Sequence, residues 1–146
     1  MSREIKFRAW DKEKGKMFEH TFRAYAGELE DLHISLDGRL GLRKFDGYYD
    51  QSMFPERFEV MQYTGLKDKN GVEIYEGDIV ETQQSDLTSA LHEMVGGIVE
   101  WDSKNAMYKI KPIYGSKFHP ITMFVHDVVV VGNKFEYPEL LEREAE

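Results

Sequence analysis

Two turn dipeptides, Asp37-Gly38 and Asn70-Gly71, each stand beside short runs in which apolar and polar residues alternate, and this constrains the chain most. A side chain that repeats every second residue lies on one face of an extended strand, so such runs cannot form stable amphipathic helices. Leu32 to Leu36 and Arg39 to Arg43 flank Asp37-Gly38 as a hairpin, with a two-residue turn that asks for positive φ at both central positions. Glu4 to Trp10 alternates likewise, with Ile5, Phe7 and Ala9 on one face and Lys6, Arg8 and Trp10 on the other. Asp11 to Gly15 then turns the chain back through Met17 and Phe18.

Further strands are predicted at Phe58–Tyr63, Val72–Tyr75 and Ile79–Thr82, with Thr64 to Asp68 leading away from the first of them. Ile98–Trp101 and Met107–Lys111 form a hairpin that sets Trp101 opposite Tyr108. Phe124 to Val131 ends in β-branched residues expected to be buried on both faces. Phe45 to Pro55, rich in Gly, Asp, Tyr and Gln, reads as a loop between two lobes, packed down by Tyr48, Tyr49 and Phe54. One short helix is expected, capped by Ser85, carrying Leu87, Leu91 and Met94 or Val95, and stopped at Gly96-Gly97. Pro138 opens a terminal turn. The expectation is a mostly β chain, α+β at most. It places an N-terminal β-hairpin region at 1–57 and a compact SH3-like barrel-type region at 58–146, the two sharing one core.

Charge narrows the partners. There are 19 Lys and Arg against 27 Asp and Glu, a formal net charge of −8, and that field disfavours a nucleic acid. The first 23 residues nevertheless carry Arg3, Lys6, Arg8, Lys12, Lys14, Lys16 and Arg23 against four acids. The asymmetry suits either a solvated hairpin face or a basic patch that meets an acidic region of a second copy. With no cysteine, disulfides, thiolate nucleophiles and Cys-ligated zinc are excluded. The longest apolar run, Val128 to Val131, is too short to cross a bilayer, and the start lacks a secretory signal, so the bacterial cytoplasm is the expected compartment.

Catalytic patterns are scarce. No serine lies in a nucleophile-elbow context, Gly38 to Gly41 is no phosphate loop, and Asp68 with Asp78 is one carboxylate pair among many. His119, His126 and Asp127 are the one cluster from which a metal-dependent hydrolase could be built. No catalytic residue and no cofactor is therefore assigned. The candidate binding surface is Arg3, Lys6, Arg8 and Trp10 at the start, with Trp101, Lys104, Tyr108, Lys109 and Lys111 in the barrel-like region. The second set would serve a nucleic-acid-binding barrel, with bases stacked on the aromatic pair.

Three long strings carry a resemblance. Arg3-Glu4-Ile5-Lys6-Phe7-Arg8-Ala9-Trp10-Asp11 is similar to the opening of the YopX-like phage and prophage proteins. So are Met61 to Gly71 running into Ile74-Tyr75-Glu76-Gly77-Asp78-Ile79-Val80, and Val131-Gly132-Asn133 with Pro138 to Leu141. Residues 24–57 and 83–97 are not distinguished by it. The resemblance implies a mostly β protein of a mobile element with an N-terminal β region and a barrel-like C-terminal region. It implies no activity. The expected role is a non-catalytic binding or assembly module, acting as a homo-oligomer or on a host or phage protein.

Overall fold

The computed structural model describes residues 3–82, 96–113, 119–123 and 127–138. The chain is mostly β, built from several antiparallel sheets, one of them curled into a half-barrel. Its strands are β1 (Phe7–Asp11), β2 (Lys16–Met17), β3 (Thr21–Arg23), β4 (Glu28–Ile34), β5 (Leu40–Lys44), β6 (Gly47–Asp50) and β7 (Phe58–Lys67). The remainder are β8 (Glu73–Tyr75), β9 (Asp78–Thr82), β10 (Gly96–Asp102), β11 (Met107–Pro112), β12 (His119–Pro120) and β13 (Val128–Asn133). Two compact units divide them: Met1–Phe7 with Met61–Glu146 forms the first, Arg8–Val60 the second. One four-stranded sheet is ordered β2-β1-β7-β8.

The first unit is organised by a five-stranded sheet ordered β12-β11-β10-β9-β13. Ile74, Val80, Val99, Ile110, Ile121 and Val128 form its core, with Leu66, Tyr108 and Val130 packed against them. Each fully buried aliphatic side chain of this kind contributes roughly 1.5–3 kcal/mol of transfer free energy. Trp101 stands opposite Tyr108 in the β10–β11 register, as the sequence predicts. The β-branched end of β13 is not buried on both faces: Val128 is buried, Val129 and Val130 are half-buried, and Val131 is exposed. The cause is a bulge, since Val130 pairs with Val80 and Gly132 with Ile79, leaving Val131 as the extra residue. Gly96 and Gly97, expected to stop a helix, are the first two residues of β10, while the helix itself lies outside the described residues.

Three carboxamide or carboxylate side chains hold the turns of this unit. Buried Asp68 accepts the backbone N–H groups of Asn70 (2.8 Å), Val72 (2.9 Å) and Val130 (3.0 Å). Buried Asp78 accepts from Tyr75 N–H at 2.8 Å, and Asn133 Oδ1 accepts from Phe135 and Glu136. Thr64 to Lys67, expected to lead away, continue β7, with a register shift between Tyr63 and Lys67.

The second unit carries a sheet ordered β3-β4-β5-β6. The Asp37-Gly38 hairpin is present, but its turn differs. Ser35 N–H donates to Arg39 C=O and Gly38 N–H to Ser35 C=O, so Leu36, Asp37 and Gly38 make a three-residue connection. Only Gly38 takes positive φ (88°), since a three-residue connection needs one left-handed residue where the two-residue turn needs two. Phe45 to Pro55 is not a connecting loop. It holds β6, paired with β5 through Leu42↔Tyr49 and Arg43↔Tyr48, and a 3-10 turn at Gln51–Met53 capped by the Asp50 carboxylate. The Gly41 position allows this pairing, because a Cβ there would stand 1.6 Å from the Tyr48 hydroxyl.

Ionic contacts fix the other side of this sheet. The buried Arg57 guanidinium meets Asp11 bidentately (3.1 and 2.9 Å) and reaches Glu30 at 3.2 Å, while Lys14 Nζ bonds Glu30 at 2.6 Å. Burial alone would raise the Asp11 carboxyl, but the Arg57 hydrogen bonds and charge, with two backbone N–H groups, outweigh it and hold it below the ordinary range. Phe18 and Phe54 each pack edge-on against Phe58, whose face lies under Arg57.

Candidate interaction surface

Strand alternation separates what the sequence reading had grouped in β10 and β11. Trp101 and Tyr108 pair in register, rings 5.0 Å apart, on the same face as Val99 and Ile110. Lys109, opposite Glu100, and Lys111, opposite Ile98, therefore project to the other face. Lys109 also lies 3.9 Å from the Asp102 carboxylate. Lys104 is exposed in the turn after Asp102, whose Oδ1 accepts its N–H. Tyr108 is half-buried, and burial raises its hydroxyl pKa. The aromatic pair and the lysines are thus not brought together as one stacking surface.

The N-terminal set fares similarly. Lys6 is bonded to Glu73 at 2.7 Å and lies 3.0 Å from Glu4, which together raise its pKa above the ordinary lysine value. Lys12 and Lys14 face Glu59 and Glu30, and Arg23 faces Glu28. Arg3 is exposed and Arg8 half-buried, but Trp10 is buried at 9% exposure and offers no open ring. Much of the N-terminal positive charge is thus matched within each unit.

The solvent face of the second unit's sheet was not foreseen. Register places Asp31, Arg43 and Tyr48 in one row across β4, β5 and β6, and His33, Gly41 and Asp50 in the next. Phe22 stands opposite Leu29, and its ring stacks on Phe45 with centroids 6.0 Å apart. Phe22 (61%), Phe45 (50%) and Tyr48 (62%) are all exposed, whereas Leu42 on the opposite face is 2% exposed. Asp31 gathers His33 Nε2 at 2.8 Å and His20 Nδ1 at 3.2 Å, with Arg43 at 3.8 Å. Asp50 is held well below the usual carboxylate range by Arg39, which bonds it twice, and then by Ser52. At the edge, Leu29, Glu30, Lys44 and Phe45 line part of an open concavity of about 530 Å³. Reading Phe45 to Pro55 as a loop hid this face; the alternation Leu29, Asp31, His33 along β4 was the signal for it.

Among the described residues no three His, Asp or Glu side chains converge to hold a metal. His126 and the His119 side chain lie outside those residues; Asp127 is half-buried. Asp68 accepts from the N–H groups of Asn70, Val72 and Val130, and Asp78 from that of Tyr75. Among the described residues no helix is long and apolar enough to cross a membrane.

The chain is similar to two solved structures. Protein EF1440 from Enterococcus faecalis shares 26% identity over 97% of this chain and 100% of that one, at a TM-score of 0.57. Protein yopX from Bacillus subtilis shares 18% identity over 92% and 95%, at a TM-score of 0.54, a likeness of fold alone. No curated protein matches. The family model described as YopX protein matches residues 6–142, and the chain belongs to that family.

Proposed function

We propose that this chain is a non-catalytic binding or assembly module that works through protein contacts made by the solvent face of the second unit's sheet. The observation that carries this reading is the set of three exposed rings, Phe22, Phe45 and Tyr48, on one registered face. Large exposed apolar groups gathered on a soluble chain mark contact sites more often than they mark ornament. In this reading the first unit is a scaffold of SH3-like barrel type. The protein serves a phage or prophage in the bacterial cytoplasm, as the mobile-element character implied by the YopX resemblance suggests. A nucleic-acid role loses its support where Lys109 and Lys111 point away from Trp101 and Tyr108.

The test is a Phe22→Ser/Phe45→Ser double variant beside Trp101→Ser as a comparator, with self-association followed by sedimentation and partner capture on immobilised chain. The double variant should lose its contacts and the comparator keep them. Equal association by all three proteins overturns the assignment.

A further inference from the structure

The solvent face of the second unit's sheet is a surface on which two copies of this acidic chain can meet without like charges opposing each other. The net charge is −8, yet the rows on the solvent face of the second unit are balanced: Asp31 against Arg43, Asp50 against Arg39. Asp31 and Arg43 are direct cross-strand partners on β4 and β5, so an axis drawn between those strands has opposite charges on its two sides. Arg43 lies 3.8 Å from Asp31, beyond hydrogen-bond reach, with its side chain 57% exposed.

We infer that this face docks on a second copy of the chain about a two-fold axis running between β4 and β5. The proposal rests on the binding reading above and names its partner. Rotation about that axis exchanges the two strands, so Asp31 of one copy faces Arg43 of the other, and the reverse contact follows by symmetry. The same rotation sets Leu29 over Phe45 and His33 over Gly41, whose side-chain space the Tyr48 hydroxyl fills, so the imidazole meets the Tyr48 phenol there. Packed sheets stand about 10 Å apart, a gap that an Asp and an Arg reaching from opposite sides can close. Phe22 and Phe45, exposed in a single copy, then lie inside the contact.

The chemistry permits a charge-exchange experiment. Arg43→Glu places two pairs of acids across the axis, and Asp31→Lys two pairs of cations. Each variant alone should dimerise at least tenfold more weakly than the wild type, which should sediment at twice 17.1 kDa. An equimolar mixture should restore the dimer, because both contacts again join opposite charges. Should either variant fail to fold, the absence of cysteine supplies a second route. Asp31→Cys and Arg43→Cys chains, mixed and oxidised, should crosslink faster together than either does alone. A wild type that stays monomeric at millimolar concentration overturns the second-copy assignment, even if its face still captures another protein. So does a mixture no more associated than its components, or cysteine crosslinking no faster in the mixture. If the Phe22→Ser/Phe45→Ser variant keeps every protein contact, the binding reading itself falls.

Discussion

Replacing Asp68 by alanine removes one carboxylate and strands three backbone donors at once. Oδ1 accepts from Asn70 and Val72, so it closes the turn between β7 and β8, and Oδ2 accepts from Val130 in β13. β13 is an outer strand of the five-stranded sheet, and Lys69 N–H donates to Val128 C=O along the same edge at 3.2 Å. An unprotected edge offers its amides to any passing strand, so Asp68 both holds the loop and closes part of that edge. Hydrogen bonds to a charged group are worth about 1.5–3 kcal/mol each. Asn70 and Val72 are both exposed and can give their N–H groups to water, which leaves half-buried Val130 to bear most of the loss. Asp68→Ala should therefore cost about 2–3 kcal/mol, and Asp68→Asn, which keeps one acceptor oxygen, roughly half that. For a chain of this length the alanine figure corresponds to a fall in Tm of roughly 6–10 °C. Thermal unfolding followed by circular dichroism measures the fall. Amide exchange locates it: Val130 N–H should exchange faster while the β10–β11 ladder keeps its protection. A fall in Tm smaller than about 3 °C, or an unchanged Val130 rate, would refute the account.

Further perturbations probe both units. A Cβ on Gly97 would stand 2.5 Å from Ile110 Cγ2 and 2.7 Å from Lys111 C=O, while one on Gly132 meets the Tyr137 ring at 2.3 Å. Gly97→Ala should cost about 2–3 kcal/mol and Gly132→Ala less, because the 41%-exposed Tyr137 ring can swing away and a backbone carbonyl cannot; urea midpoints compare them. In the second unit the Asp11 and Glu30 carboxyls have folded-state pKa values below their unfolded ones. Their stabilisation is complete above the unfolded carboxylate range and drains away as pH falls through the lower folded values. Acid titration of stability should show that loss below about pH 4, and Asp11→Asn should flatten it while costing about 2–4 kcal/mol at neutral pH. An unaltered acid limb in Asp11→Asn would show that the Arg57 contacts are not its source.

The hairpins were legible wherever turn chemistry and alternation agreed, as at Met107–Lys111, because both signals are local. They failed together at Phe45–Pro55. Gly47, Asp46 and Asp50 look like loop residues in a linear reading, yet Gly47 pairs with Lys44, Asp46 accepts the Tyr49 hydroxyl at 2.9 Å and Asp50 caps the following turn. Their partners stand only two or three positions away, but a composition that marks loop residues hides such pairing. Arg57 is the same case at longer range: nothing in residues 56–58 says that a guanidinium there will be buried, because the acids that make burial tolerable are 46 and 27 positions away. The bulge at Val131 belongs here too, since a run of four valines carries no mark of which one will lack a partner.

The error at β10 and β11 had a different origin, because the correct answer was available without a structure. Once Trp101 is set opposite Tyr108, the two-residue period of a strand puts Lys109 on the other face at once. The lysines were added to the aromatic pair for being near in sequence, a criterion that strands invert: immediate neighbours are the residues that cannot share a face. Applied to β4, the same period joins Leu29, Asp31 and His33, and pairing adds Phe22, Arg43 and Tyr48. A binding surface on a sheet is assembled from every second residue of several strands. It is therefore visible in sequence only after the pairing is known. That is why residues 24–57, where the family resemblance distinguishes least, hold most of the surface that the binding proposal needs.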